Sequence, residues 1–168
     1  MQNSLHIVLV EPEIPQNTGN IIRTCAATGA HLHLVEPLGF ELTDARCKRA
    51  GLDYWQFLSV KRYADYASFE NENKNNGTFY FFTTKAQKSY AEVKYSGNTY
   101  IIFGKETAGL PEELLFANPD NCVRLPMLSG IRSLNLSNTV AVAAYEVLRQ
   151  WEFKDFQIGG ELTRFHWN

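Results

Sequence analysis

The sequence has no apolar run near the roughly 18 residues that a membrane-spanning helix requires. Runs such as Phe79–Phe82 and Tyr100–Phe103 are only a few residues each. Charge of one sign is missing too: 16 Lys+Arg against 18 Asp+Glu give a net charge of -2. That balance excludes a protein that coats nucleic acid by bulk charge and leaves room only for a local basic patch. Cysteine is scarce. Cys25, Cys47 and Cys122 are widely spaced and form no C-x-x-C pair, which argues against a zinc ribbon or a dithiol redox centre. The histidines are scattered; His31 and His33 share one face of a strand but lack a third ligand, so no structural metal is expected. There is no G-x-G-x-x-G fingerprint. The Gly104-Lys105 pair is not a P-loop either, because position 99 is Thr and position 106 is Glu. The N-terminal stretch MQNSLHIVLVEPE has no basic leader and soon reaches Glu11, too short for a secretory segment. The expectation is a cytoplasmic protein with no membrane partner.

Against these absences stand 168 residues, 45% hydrophobic and 13% aromatic, enough for one domain spanning 1–168 with a continuous core. Runs at Leu5–Val10, Leu32–Val35, Phe79–Thr83, Tyr100–Phe103 and Cys122–Leu125 read as short buried strands. Helical patterns fall between them, at Asn20–Thr28 before Gly29, at Asp44–Ala50 before Gly51, at Tyr63–Glu70, and at Pro111–Phe116 with proline in the first turn. Strands alternating with helices predict an α/β fold, a mostly parallel sheet covered on both faces. NENKNNG (Asn71–Gly77) reads as an exposed turn with no core residue. A last helix, Asn135–Trp151, puts Val140, Ala144, Val147, Leu148 and Trp151 on one stripe, suited either to packing on the sheet or to a subunit interface.

Three segments carry more polar detail than a fold needs. Asn17–Thr24 (NTGNIIRT) reads as a loop opening into a helix, able to offer N–H groups to an anion, with Arg23 one turn inside. Ile101–Pro111 (IIFGKETAGLP) places two glycines around a polar loop after a hydrophobic strand, where α/β sheets bind ligands. Leu125–Asn138 runs from an apolar Leu-Pro-Met wall to Ser133, Asn135 and Ser137, any of which could cap the last helix. Hydroxyls and amides beside an apolar wall suit a ligand with both polar and apolar parts.

These segments, together with VEPLGF, KRAGLDYW, FTTKA and RLPM in the same order, resemble the SPOUT superfamily of S-adenosylmethionine-dependent RNA methyltransferases. Within it the resemblance is to the small enzymes that methylate the ribose 2'-OH of the tRNA wobble nucleotide. It covers about Ile7 to Trp151 and not the tail from Glu152. It implies an α/β knot, with a C-terminal trefoil threading in a cofactor region of about 79–151. It implies that S-adenosylmethionine is held with its adenine on backbone groups of three loops, at Phe82 and Thr83, Gly104 and Glu106, and Leu125, Met127, Ser133 and Leu134. At Gly104 a Cβ would obstruct the ligand's approach to the backbone. It implies a homodimer packed through the first and last helices, including the stripe that ends at Trp151. Arg23 is implied as the catalytic residue, with Asn17 and Asn135 orienting it or the ribose. The implied substrate is position 34 in a tRNA anticodon stem-loop, of leucine tRNAs. Another tRNA position, a ribosomal RNA, or a non-catalytic RNA-binding dimer are the alternatives.

Arginine is a poor general base, with a pKa above about 12. Its fork is better suited to clamping a phosphate and stabilising a developing alkoxide. For RNA contact, the stretch Asp44–Arg62 has five basic residues, Arg46, Lys48, Arg49, Lys61 and Arg62, against two acidic ones, with Tyr54 and Trp55 between. That mixture fits phosphate binding and base stacking.

Overall fold

The computed structural model describes residues 3–41 and 59–167. Six parallel strands form one sheet in the order β3-β2-β1-β5-β4-β6. They are β1 (Ser4–Val10), β2 (His31–Val35), β3 (Val60–Tyr63), β4 (Thr78–Phe82), β5 (Asn98–Phe103) and β6 (Cys122–Val123). The chain lays down β1, β2 and β3 outward to one side, then crosses to build β4 beyond β5. Since β1 pairs directly with β5, from Ser4↔Asn98 to Leu9↔Phe103, the strand order reverses between them. A crevice is therefore expected beyond the C-terminal ends of these two strands.

Alternation along each strand divides the core. Leu5, Ile7 and Leu9 of β1, with Leu32, Leu34, Ile101 and Phe103, face helices α1 (Pro15–Thr28) and α4 (Leu136–Gln150). Val8, Val10, Val35, Tyr100 and Ile102 face the other way, with α2 (Tyr66–Asn73) and α3 (Glu112–Ala117) contributing Phe69 and Leu115. The second face also holds a polar thread. Tyr100 Oη donates to Asn73 Oδ1 (3.3 Å), and Asn73 Nδ2 donates to Tyr63 Oη (3.2 Å). Tyr63 Oη lies 3.0 Å from His33 Nδ1, His33 Nε2 lies 3.0 Å from His6 Nδ1, and His6 Nε2 lies 2.6 Å from Ser4 Oγ. Asn73 Nδ2 can only donate to Tyr63 Oη, so His33 Nδ1 is the one acceptor among the described partners of that hydroxyl, and the tyrosine proton is placed there. The donor and acceptor inventory then assigns both histidines as neutral Nε2–H tautomers.

Several sequence expectations change. α1 begins at Pro15, five residues before Asn20, so Asn17, Thr18 and Gly19 are helical rather than loop. β3 was not among the expected strands; with the pattern half-buried, exposed, exposed, buried, its sequence VKRY hides the alternation. Tyr63 belongs to it, and α2 starts later, where the Asp65 carboxylate caps Ser68 N. The polar turn is shorter than expected, since Asn73 is only 5% exposed and is held by the tyrosines and by Phe69 O. The stripe is spent inside the chain: Val140, Ala144, Val147 and Leu148 are buried against α1 and the sheet, and Trp151 is half-buried with its Nε1 donating to Tyr95 O. An interface built on that stripe is thereby corrected; the apolar side chains that α4 leaves exposed are Val142 and Tyr145. The helix expected at Asp44–Ala50 and the residue Cys47 lie outside the described residues, while Cys25 and Cys122 are buried free thiols. No described helix is long and apolar enough to cross a membrane.

Candidate active site

The loops that follow β1 and β5 are tied together by reciprocal polar contacts. The Glu106 carboxylate accepts from the N–H groups of Glu13 (2.8 Å) and Ile14 (3.2 Å) and from Asn17 Nδ2 (2.9 Å). In return, the Glu13 carboxylate accepts from the N–H (3.0 Å) and hydroxyl (2.8 Å) of Thr107, which hold it below the usual carboxylate range. Lys105 pairs with Glu11 at 2.6 Å, and the contact raises the lysine's affinity for its proton. Glu11 takes a left-handed φ of 51° immediately after β1.

Asn17 carries the connection onward. Its Oδ1 accepts from Asn135 Nδ2 at 3.0 Å, and Asn135 Oδ1 caps α4 by accepting from Ser137 N, Ser137 Oγ and Asn138 N. One line of hydrogen bonds, Glu106 to Asn17 to Asn135, thus fastens all three polar segments. The positive end of α1 was read as a place for an external anion. Its anion is the chain's own Glu106, drawn from about 90 positions away.

Between the segments lies a cleft of about 550 Å³. Phe82 and Thr83 line it at the end of β4, and Gly104 and Glu106 after β5. Leu125, Met127, Ser133 and Leu134 form its third wall, and Asn17 and Asn135 also face it. The structure thus brings together ten of the eleven residues expected for the cofactor and the chemistry. Arg23 is the exception: it lies on the exposed face of α1 and is not part of the lining. Arg46, Lys48 and Arg49 lie outside the described residues. Lys61 and Arg62 are ion-paired with Glu72 and Glu36, so the basic stretch is partly neutralised.

Two of these residues also serve the fold itself. Both Glu106 oxygens are engaged by donors around α1, so this side chain organises the cleft wall. At Gly104, a Cβ would sit 2.0 Å from the Gly109 carbonyl carbon and 2.3 Å from Leu110 N. The glycine is needed to close its own loop, independently of any ligand. Residues not anticipated in the lining include Lys85, Thr139 and Arg132. Arg132 stands immediately before Ser133, a position that could have signalled it. A larger hollow of about 870 Å³ lies at the opposite ends of the strands, around Ser4, Asn98 and Trp151. It lies at the N-terminal ends of the same β1 and β5 pair, whereas ligands of open α/β sheets bind beyond the C-terminal ends, where the cleft is.

The cleft suits a ligand of mixed character. Phe82, Leu125 and Met127 supply apolar contact, Thr83 and Ser133 supply hydroxyls, and the volume is that of an ordinary cofactor site. Among the described residues no group of three His, Cys, Asp or Glu is arranged to hold a metal ion.

The SpoU rRNA Methylase family model matches residues 4–145. The chain belongs to this family. It is 50% identical over 147 residues to the tRNA (cytidine(34)-2'-O)-methyltransferase of Escherichia coli, covering 87% of this chain and 93% of that protein. A solved structure concerned with 2-OH methylation of C/U34 on tRNA superimposes with a TM-score of 0.84 at 42% identity, covering 90% of this chain and 99% of the other. An AdoMet-bound rRNA methyltransferase from Sinorhizobium meliloti shares the fold, with a TM-score of 0.78 at 24% identity over 89% of this chain and 57% of that one. The SpoU match thus spans all six strands and the cleft between their C-terminal loops.

Proposed function

We propose that this SpoU family protein is an S-adenosylmethionine-dependent tRNA 2'-O-methyltransferase acting on the wobble nucleotide, position 34, with leucine tRNAs as substrates. The observation that carries this reading is the joined cleft, Glu106 to Asn17 to Asn135, in a chain half identical over nearly its whole length to an enzyme of that name. The reading takes residues 1–168 as one methyltransferase domain. It includes a trefoil threading of about 79–151, supported by the family match and by β6 lying beside β4 while the chain returns through α4 beneath β1 and β5.

When bound, S-adenosylmethionine supplies a methyl group on an electrophilic sulfonium. The protein's share is placement and electrostatics. Phe82, Leu125 and Met127 bury apolar parts of the ligand, while Thr83 and Ser133 give hydroxyls for its polar parts. Gly104 and Leu134 set the backbone course around it, and Glu106 fixes the wall by holding α1. Asn17 and Asn135 are locked in orientation by each other and present a rigid amide edge toward the ribose. Arg23 clamps the phosphate beside the target and stabilises charge growing on the 2'-oxygen. Its place outside the lining supports a homodimer in which α1 of one copy brings Arg23 to the other's cleft. Ile14, immediately before α1, and Val142 and Tyr145 on α4, all apolar and exposed, support the same pairing. The anticodon stem-loop is then recognised across the pair, with Arg46, Lys48 and Arg49 contacting RNA.

The deciding experiment is mass spectrometry of nucleosides from tRNA of cells with and without the gene. Loss of a 2'-O-methylated wobble pyrimidine is expected. Unchanged wobble methylation, with methylation lost at another site, would overturn the assignment.

A further inference from the structure

Three cationic side chains line the cleft among the described residues: Lys85, Lys105 and Arg132. Two have spent their charge inside the protein. Lys85 is paired with Glu112, and Lys105 is paired with Glu11. Arg132 has no ion pair or hydrogen bond among the described residues. It is exposed, on the stretch between Gly130 and the Asn135 cap. The cleft's central acid cannot compensate it, because both Glu106 oxygens are taken up by Glu13, Ile14 and Asn17. An uncompensated guanidinium beside Ser133 and Asn135 leaves a fork of donors aimed at whatever approaches the cleft from solvent.

We propose that Arg132 is a substrate-binding residue that engages a phosphate of the RNA backbone next to the target ribose. The inference rests on the RNA methyltransferase reading above. Its physical basis is charge accounting: a neutralised lysine gains little by meeting a phosphate, since it must first give up its carboxylate. An unpaired arginine gives up only water and offers two parallel N–H donors. Asn135, fixed by Asn17, anchors the loop three residues away, so the arginine approaches from a supported backbone. The carboxylate of the cofactor's methionyl tail has the same chemistry as a phosphate oxygen, and the experiment separates the two.

The test compares wild type with Arg132→Gln and Arg132→Lys for equilibrium binding of unmodified tRNA at several salt concentrations and for calorimetric binding of S-adenosylmethionine. Loss of one phosphate contact should lower the slope of log K against log salt by about 0.7, the single-strand value per neutralised phosphate. Arg132→Gln is expected to weaken tRNA binding by about tenfold at low salt, with cofactor affinity unchanged. Arg132→Lys should keep the slope but not the full affinity, because the point charge remains and the bidentate fork is lost. Weakened cofactor binding with an unchanged tRNA slope would assign Arg132 to the methionyl carboxylate and overturn the proposal, as would no change in either. A wild-type protein that neither binds nor methylates tRNA would overturn the functional reading itself. Normal wild-type methylation with an unaltered Arg132→Gln slope would overturn the Arg132 inference alone.

Discussion

Acid should unfold this protein earlier than its carboxylates alone would dictate, through His6 and His33. His33 is 6% exposed, and burial, followed by the nearby His6, His31 and Lys61 charges, pushes it from its ordinary value down to about 3. His6 is pushed down to about 4, first by burial and then by His31. Both folded-state values lie below the unfolded value of 6.5. In the unfolded chain these histidines bind protons as pH falls through 6.5, while in the folded chain they do not. The stabilisation is complete above about pH 7 and is lost progressively toward the folded values. Integrating from pH 7.5 to 5 costs about 2 kcal/mol per histidine, or about 4 kcal/mol together. The geometry gives the reason: a proton on His33 Nδ1 would face Tyr63 Oη, whose own proton then has nowhere to go. The carboxylates held low by hydrogen bonds, such as Glu13 and Asp65, act mainly below pH 5, where the unfolded carboxyls titrate. Urea unfolding at half-unit steps from pH 7.5 to 5 should show stability falling by about 2.5 kcal/mol per pH unit near pH 5.5. His6→Gln and His33→Gln should each remove about half of that slope, whatever they cost in absolute stability. Replacing both without flattening the slope would refute the account.

Other consequences concern the cleft. Glu106→Ala removes three acceptor contacts and leaves the Asn17 amide buried without its partner, so a loss of about 3 kcal/mol in urea unfolding is expected, with Glu106→Gln losing less. Gly104→Ala must push the Gly109 carbonyl aside and should cost more than about 2 kcal/mol while weakening cofactor binding in calorimetry. Gly19→Ala, in the middle of α1 with open space around the new methyl, should instead raise stability by about 0.5–1 kcal/mol. For Arg23→Lys, a pH–rate profile should retain its shape while kcat falls at least tenfold; near-full activity with an unchanged profile would rule out a bidentate clamp.

The strands were legible because they are buried on both faces and read as unbroken apolar runs, as in Tyr80–Phe82 and Ile101–Phe103. β3 escaped because Lys61 and Arg62 sit at its middle, paired sideways with Glu72 and Glu36. The start of α1 escaped for a different reason. Local capping rules look for a side chain one to three residues from the helix start, and Ile14 offers none. The stabilising carboxylate belongs to Glu106, a tertiary contact that no window along the sequence contains. The same holds for the site. Its residues were assembled from motif resemblance, but which amide faces which carboxylate depends on register between β1 and β5. Asn73 shows the limit most plainly: in an Asn-rich polar stretch, only the tyrosines arriving from β3 and β5 make one asparagine a core residue.

The charge balance acquires a physical meaning from these pairings. Most acidic residues around the cleft are structural: Glu11, Glu13 and Glu106 bind the β1 and β5 loops to each other, and Glu112 holds Lys85. All four contacts stiffen the walls, and those of Glu11 and Glu112 also cancel a cation that RNA could otherwise meet. A near-neutral chain therefore has few positive charges left to steer a polyanion, and those left must be well placed. Arg132 is the one lining the cleft among the described residues. Binding through a few localised contacts predicts a shallow dependence on salt, in contrast to a broad basic surface, where many phosphates are neutralised and affinity collapses as salt rises. Discrimination would then come from fitting one nucleotide between walls that Glu106, Asn17 and Asn135 keep rigid, with charge serving mainly to hold the flanking phosphate in register.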